Sequence, residues 1–305
     1  MLSEIFYWVL NVSIIGSVTG LIILALRKVK KLPKFAVYVL WTIPLLRLWI
    51  PFSIANKYSL VSFVSKFTTK TVIMWSDLPE FTMANSIMSA KSYFPIKYKT
   101  YMITQIFYVS SVVWIMVAIA AILGAIIFYI LTKTELKTAE HIKDNIYMSD
   151  KITTPAVYGI IKPKIIIPVA ITDGAIEYII MHEMVHIKRK DNLFRIVAVI
   201  TVCVHWFNPL SWIFLKCFFA DMELACDTKV LKRLDEKQTK NYANAILSCA
   251  SGKALFASAF GGAKTKFRIE NVLSYRKLTL FSSLCVVALV VVIMVVLITN
   301  GVGKG

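Results

Sequence analysis

FRIVAVITVCVHWFNPLSWIFLKCFFA, running from Phe194 to Ala220, is the stretch on which the topology of this chain turns. It is apolar enough to enter a membrane. Asn208-Pro209 interrupts it near the middle, between Trp206 and Trp212. Its halves, roughly 194–207 and 210–222, each fall short of the ~20 residues that a crossing helix needs. A crossing and a hairpin make opposite demands on the flanks. The first separates them across the lipid, and the second keeps them on one side.

The N-terminal flank, Tyr178 to Asp191, contains His182-Glu183-Met184-Val185-His186. On a helix, positions four apart share a face. Both imidazoles can therefore reach one metal ion, with Glu183 beside the open coordination position. Two His ligands and a Glu general base are the equipment of a zinc peptidase. The competing reading is a surface helix with two solvated His. The helix is expected from about Ala175 to Lys190, with Asp173 as N-cap. Ile176, Ile179, Ile180 and Val185 form its apolar stripe, and Lys188, Arg189 and Lys190 suit its C-terminal turn.

The C-terminal flank is Asp221-Met-Glu-Leu-Ala-Cys-Asp227. A catalytic zinc site keeps three protein ligands, so two His leave one vacancy. Glu223 fits it. Asp227, one turn on, fits a supporting position, holding the ring nitrogen of a His ligand that faces away from the metal. Asp191 and Asp221 are the alternative acids; Asp191, near the helix end, is less well placed. Cys226 reads as a packed small residue. Were Phe194–Ala220 to cross the bilayer, Glu223 could not reach His182 and His186. A helical hairpin that dips into the membrane or lies along it, turning at Asn208-Pro209, is the consistent reading.

Composition sets the wider frame. The 305 residues are 58% hydrophobic and 17% charged, with mean hydropathy +0.69. That is too little charge for a soluble domain of this size. The net charge of +18 reflects basic clusters between apolar runs, which points to membrane topology rather than to nucleic acid. Four spans are expected: Ile5–Leu26, Phe35–Ala55, one within Ile103–Leu131, and Leu278–Thr299. Arg27, Lys28, Lys30, Lys31 and Lys34 follow the first span and mark the cytoplasmic side. Arg47 lies inside the second, where a charge is costly and often functional, although it is also close enough to the outer end to snorkel. The domains are then 1–132, three spans with an extracytoplasmic loop at 56–101; 133–277, a cytoplasmic zinc domain with re-entrant hairpin 194–222; and 278–305, the fourth span and a tail. Within the zinc domain, Thr134–Asp144 reads as a charged helix. Val157–Ile161 and Ile165–Pro168 read as a hairpin or bent edge strand, since Pro163 and Pro168 argue against a central one. Leu231–Ser251 reads as an amphipathic helix, Leu255–Lys266 as mobile, and Phe267–Lys277 as a basic juxtamembrane helix. The five Cys, with no CxxC, are expected as free thiols.

Four pieces together resemble the BlaR and MecR antirepressor family of membrane metallopeptidases. They are Gly159-x-x-x-Pro163 with Pro168, His182–Asp191, Trp206-Phe-Asn-Pro-Leu210, and Glu223-Leu-Ala-Cys-Asp227. The resemblance implies a mainly α integral membrane protein with a gluzincin-like zinc domain of helices and a small sheet. It also implies Zn2+ on His182, His186 and Glu223, with Glu183 as catalytic base on the cytoplasmic side. The beta-lactam sensors of that family continue past the last span into a large extracellular penicillin-binding domain. Here only Asn300–Gly305 follow, so no direct covalent sensing is expected.

The expected activity is zinc-dependent hydrolysis of a peptide bond, as in antirepressor signalling linked to antibiotic resistance. The expected partners are the lipid bilayer and a protein or peptide substrate, either a repressor or the chain's own 252–266 segment. No direct nucleic-acid contact is expected, and a homo-oligomer is left open. The rivals are a non-catalytic signalling scaffold with a structural zinc site, and a transporter or receptor. A structural site needs four ligands, and a transporter needs more polar groups within its spans than Arg47. No residue declares itself as the oxyanion donor; His205 reads as packing near the hairpin turn.

Overall fold

The computed structural model describes residues 2–29, 32–50, 101–171, 173–249, 265–275 and 279–298. The expected loop at 56–101 lies outside these, apart from Tyr101 itself. So do most of the Leu255–Lys266 segment and the tail from residue 299.

Helix α1 (Leu2–Arg27) is the first expected span. Helices α2 (Lys34–Leu40) and α3 (Thr42–Trp49) follow, then the long α4 (Tyr101–Glu135). The second expected span, described as far as Ile50, is two short helices rather than one. Pro44 has no N–H for the Leu40 carbonyl and its ring crowds that oxygen, so the helix breaks at Trp41. Three helical stretches among the described residues are each long and apolar enough to cross a membrane: Leu2–Arg27, Gln105–Thr138 and Phe281–Ile298.

Arg47 does not snorkel. It is 3% exposed, and its Nε donates to the Leu297 carbonyl at 2.9 Å. That carbonyl lies in the last turn of α10 (Leu280–Ile298), where helix carbonyls lack intrahelical partners.

The sheet comprises β1 (Glu140–Lys143), β2 (Ile146–Ser149), β3 (Ala156–Tyr158) and β4 (Lys164–Pro168), in the order β1-β2-β4-β3. The charged helix expected over Thr134–Asp144 is therefore corrected. Helix α4 runs on to Glu135, and after one 3-10 turn the chain enters a β1–β2 hairpin. Asp144 turns it with φ 50°, a left-handed conformation that Asp tolerates. The edge assignment for Ile165–Pro168 is also corrected. β4 is an inner strand, parallel to β2 and antiparallel to β3. Its prolines do not disturb the ladder because Pro163 precedes the strand and Pro168 ends it. Ile165 and Ile167 are buried against Ile176, Ile180 and Met184.

Helix α5 (Asp173–Arg189) carries the HExxH. Lys190 at φ 56° breaks it from α6 (Asp191–Val204), and α7 (Pro209–Leu231) returns. Helix α8 (Glu236–Ser248) starts later than expected, at a reciprocal Asp235/Gln238 capping box. Helix α9 (Thr265–Leu273) packs on α8 and α7.

The α6–α7 hairpin turns at Asn208-Pro209. The Asn208 side chain caps α7 by accepting from Leu210 N (3.0 Å), and Pro209 suits the first helical position. The Asn208 amide also donates to Ser13 Oγ (2.9 Å) and Ser17 Oγ (2.8 Å), in the middle of α1. The turn's carbonyls have partners. Val204 O accepts from Trp114 Nε1, His205 O from Ser211 Oγ, and Trp206 O from Trp212 Nε1. His205 is buried against the Leu48 carbonyl (3.1 Å) and has a packing role.

Gly16 and Gly20 let α1 approach its neighbours. A Cβ on Gly20 would lie 2.2–2.7 Å from the Phe214 ring, and one on Gly16 would lie 2.5 Å from Leu48. At the other end of the hairpin, Arg27 Nε and Trp41 Nε1 both donate to the Asp221 carboxylate (2.8 Å to Oδ2). Asp221 is thus tied to α1 and α2.

Candidate metal centre

His182, Glu183 and His186 project from α5, and Glu223 from α7. His182 Nε2 lies 3.1 Å from His186 Nε2 and 3.3 Å from Glu223 Oε2, and His186 Nε2 lies 3.5 Å from Glu223 Oε1. Ligands at ~2.0–2.1 Å around a tetrahedral ion sit about 3.3–3.4 Å apart. The three donors therefore match the separations a zinc ion requires. The Glu223 carboxylate also accepts from Arg195 Nη2 at 2.7 Å.

Each imidazole is fixed from behind. The Tyr242 hydroxyl donates to Asp227 Oδ1 (2.6 Å) and accepts from His182 Nδ1 (2.8 Å). Asp227 Oδ1 itself lies 3.2 Å from His182 Nδ1. His186 Nδ1 donates to Asp191 Oδ2 at 2.6 Å. Both rings thus hold their proton on Nδ1, and the bare Nε2 atoms converge. Arg268 closes this layer with a two-point grip on Asp227, Nε to Oδ2 (2.9 Å) and Nη2 to Oδ1 (2.7 Å).

The electrostatics favour a cation between these groups. Burial would raise the Glu223 carboxyl, but His186, His182 and Arg268 hold it well below the usual range. Burial likewise works against ionised Asp227, and Arg268 and His182 keep it ionised. Burial and the neighbouring Asp227 push the Tyr242 phenol well up, so it remains a donor. Without metal, burial opposes charge on the two imidazoles. Cys226 with Tyr242 and Asp227 around one, and Cys226 with Glu223 and Asp191 around the other, outweigh it and raise both.

Cys226 also brings its sulfur near the two imidazoles: the nearest donor atoms of His182, His186 and Cys226 all lie within 4.8 Å of one another. Its thiol, however, donates to the His182 carbonyl at 3.4 Å. Glu223 sets its oxygens 3.3 and 3.5 Å from the two imidazole nitrogens, and two His with a carboxylate is a donor set of catalytic zinc sites. Glu183 is 8% exposed, and its carboxylate has no hydrogen-bond partner among the described residues.

Of the sequence-predicted residues, His182, His186 and Glu223 come together, Glu183 lies one residue along α5, and Asp227 stands behind His182. Asp191 and Asp221 donate no atom to the cluster: one backs His186 and the other binds Arg27 and Trp41. Four residues escaped the sequence reading, namely Tyr38, Arg195, Tyr242 and Arg268. Arg268 was read as part of a basic juxtamembrane helix, but its guanidinium turns inward, with 20% of the side chain exposed.

The sequence profile described as BlaR1 peptidase M56 matches residues 7–275. The chain belongs to this family. Among curated relatives, it is 35% identical over 146 residues to the regulatory protein BlaR1 of Bacillus licheniformis, covering 45% of this chain and 24% of that one. It is 36% identical over 106 residues to the methicillin resistance mecR1 protein of Staphylococcus aureus, covering 33% and 18%. The matched regions thus span a quarter or less of these relatives. Family membership, a mostly helical fold with a small sheet, and apolar helices of spanning length agree with a regulatory membrane peptidase.

Proposed function

We propose that this chain is a membrane-embedded zinc metalloendopeptidase that cleaves a cytoplasmic protein in signal transduction. The observation that carries this is the trio of 3.1, 3.3 and 3.5 Å separations among His182, His186 and Glu223, beside a Glu183 whose carboxylate has no hydrogen-bond partner among the described residues. His182, His186 and Glu223 would hold the ion. Zinc, when bound, supplies Lewis acidity toward water and the scissile carbonyl. Glu183 accepts the proton of the attacking water and passes it to the leaving amine. Asp227 with Tyr242, and Asp191, hold the imidazole protons on Nδ1 throughout. Arg195 and Arg268 bring positive charge to the Glu223 side, where an oxyanion donor is needed.

The proposed topology has four crossings, with α2–α3 as the second, and a hairpin that enters the membrane and returns. Asp221, beside the site, pairs with Arg27 at the basic end of α1, which supports a cytoplasmic site. Ser13 and Ser17 lie some ten to fourteen residues from Arg27, about 15–21 Å along α1. That is over half of a ~30 Å hydrocarbon core. Irregular backbone at that depth is tolerated only when protein buries it, and the paired carbonyls of the turn meet this condition.

A scaffold with a closed structural zinc site would need a fourth ligand. Cys226 is near enough to raise that reading, but its bond to the His182 carbonyl, and a general-base candidate, Glu183, next to His182, favour the peptidase. The substrate class is a cytoplasmic repressor, or the chain's own 252–266 segment. Comparative proteomics of cells carrying wild type or Glu183→Gln tests this. Wild type should remove one or few cytoplasmic proteins or its own intact form, and Glu183→Gln should keep its zinc and lose that cleavage. Equal cleavage by both excludes the mechanism.

A further inference from the structure

Asp191 is fully buried (0% exposed) at the elbow between α5 and α6, and its two oxygens are shared among three helices. Oδ2 takes the His186 Nδ1 proton at 2.6 Å and lies 3.1 Å from Arg189 Nη2. Oδ1 accepts from Arg189 Nε at 3.2 Å and from the Tyr38 hydroxyl at 3.0 Å. Tyr38 belongs to α2, in the segment read as a membrane span. Its ring is fixed on both faces, stacking on Phe218 of α7 with centroids 5.6 Å apart and lying 4.3 Å beneath the Arg189 guanidinium. The hydroxyl therefore has little freedom to leave its partner.

We infer that Tyr38 is a positioning residue of the metal centre: its hydroxyl sets the orientation of His186 through Asp191. This rests on the zinc reading above. A carboxylate accepts about four hydrogen bonds, and all four directions of Asp191 are used. Without the hydroxyl, Asp191 can rotate toward Arg189, and the His186 ring loses the fixed direction of its Nδ1 proton. Outer partners of metal-ligating His typically change affinity 10–100-fold when removed. One atom two bonds removed from the imidazole belongs near the lower end.

The residue that caps α2 at its C-terminal end supplies a control. Trp41, three residues on, donates to Asp221 Oδ2 at 2.8 Å, but Asp221 holds no imidazole and keeps Arg27 as partner. The experiment compares purified full-length wild type, Tyr38→Phe and Trp41→Phe in detergent. Each apo protein is titrated with Co2+ and then with Zn2+ in competition, and its thermal midpoint is recorded. Tyr38→Phe keeps both ring contacts and should keep its midpoint, while its metal dissociation constant rises about tenfold. Its cobalt d–d spectrum should also shift. Trp41→Phe should bind metal as wild type does.

Unchanged affinity and spectrum in Tyr38→Phe overturn the inference. So does an equal loss in Trp41→Phe, which would show general dependence on α2 packing. Failure of wild type itself to bind either metal would instead defeat the underlying zinc reading.

Discussion

Replacing Arg268 with Ala would leave Asp227 as a carboxylate with 0% exposure and no cation. Breaking a buried ion pair from one side costs about 3–5 kcal/mol, because the remaining charge stays buried. An exposed pair costs less than ~1 kcal/mol. Arg268 retains 20% side-chain exposure, so water can partly replace it, and about 3 kcal/mol is the expected cost. At ~2–4 °C per kcal/mol for a unit of this size, the thermal midpoint falls by about 6–12 °C. The pH dependence has a definite sign. In wild type the Asp227 carboxyl is held below its ordinary value, so its stabilisation is present above the ordinary carboxylate range and lost as pH falls through the folded value. In Arg268→Ala the burial that raises this carboxyl is opposed only by His182 and the Tyr242 hydroxyl, and it takes up a proton at higher pH. The gap between variant and wild type should therefore narrow on acidification. Adding Asp227→Asn, which removes the charge and keeps an acceptor for Tyr242, should restore part of the loss. Thermal melts of the three proteins in detergent over a pH series measure all of this. A fall under about 2 °C, the size of a surface pair, or a gap that does not change with pH, would refute the buried-pair reasoning.

Asn208→Leu removes the cap of α7 and both bonds to Ser13 and Ser17, and should cost about 1–2 kcal/mol. The loss should be non-additive with Ser13→Ala/Ser17→Ala in a double-mutant cycle. Gly20→Leu drives a side chain into the Phe214 ring. It should destabilise by about 1–3 kcal/mol, read as a lower midpoint and a broadened size-exclusion peak. Glu223→Gln keeps shape but loses charge, and should lower zinc affinity at least about tenfold as measured by competition with a chromophoric chelator.

The hairpin was legible because two local signals agreed: Asn208-Pro209 divides an apolar run, and chemistry on either side needs one compartment. The pairing of α5 with α7 followed from the four-residue spacing of two His, the ligand vacancy they leave, and a hairpin that returns the chain to them. What escaped was set by backbone turns and by distance in sequence. Asp191 was weighed only as a metal ligand, and as a less well placed one; its use behind His186 depends on Lys190 at φ 56°, a turn that the sequence does not announce. Tyr38 and Arg268 lie 153 and 41 residues from the carboxylates they hold, and nothing in their own neighbourhoods announces this. β4 was misassigned because proline was weighed by presence, not by position. Pro163 and Pro168 flank the ladder and withhold no hydrogen that it uses. Arg47 was left between a role inside the span and snorkelling, because an unpaired helix-end carbonyl at Leu297 leaves no trace in sequence.

The receptors for the hairpin tip, Ser13, Ser17 and Trp114, are all upstream of the tip itself. During translation the socket is thus made before the plug, and an apolar segment that could thread outward meets polar anchors already in place. The acceptor for Arg47, the Leu297 carbonyl, is synthesised after the hairpin. The order of manufacture gives this chain a receptacle first, the hairpin next, and a clasp on Arg47 after it.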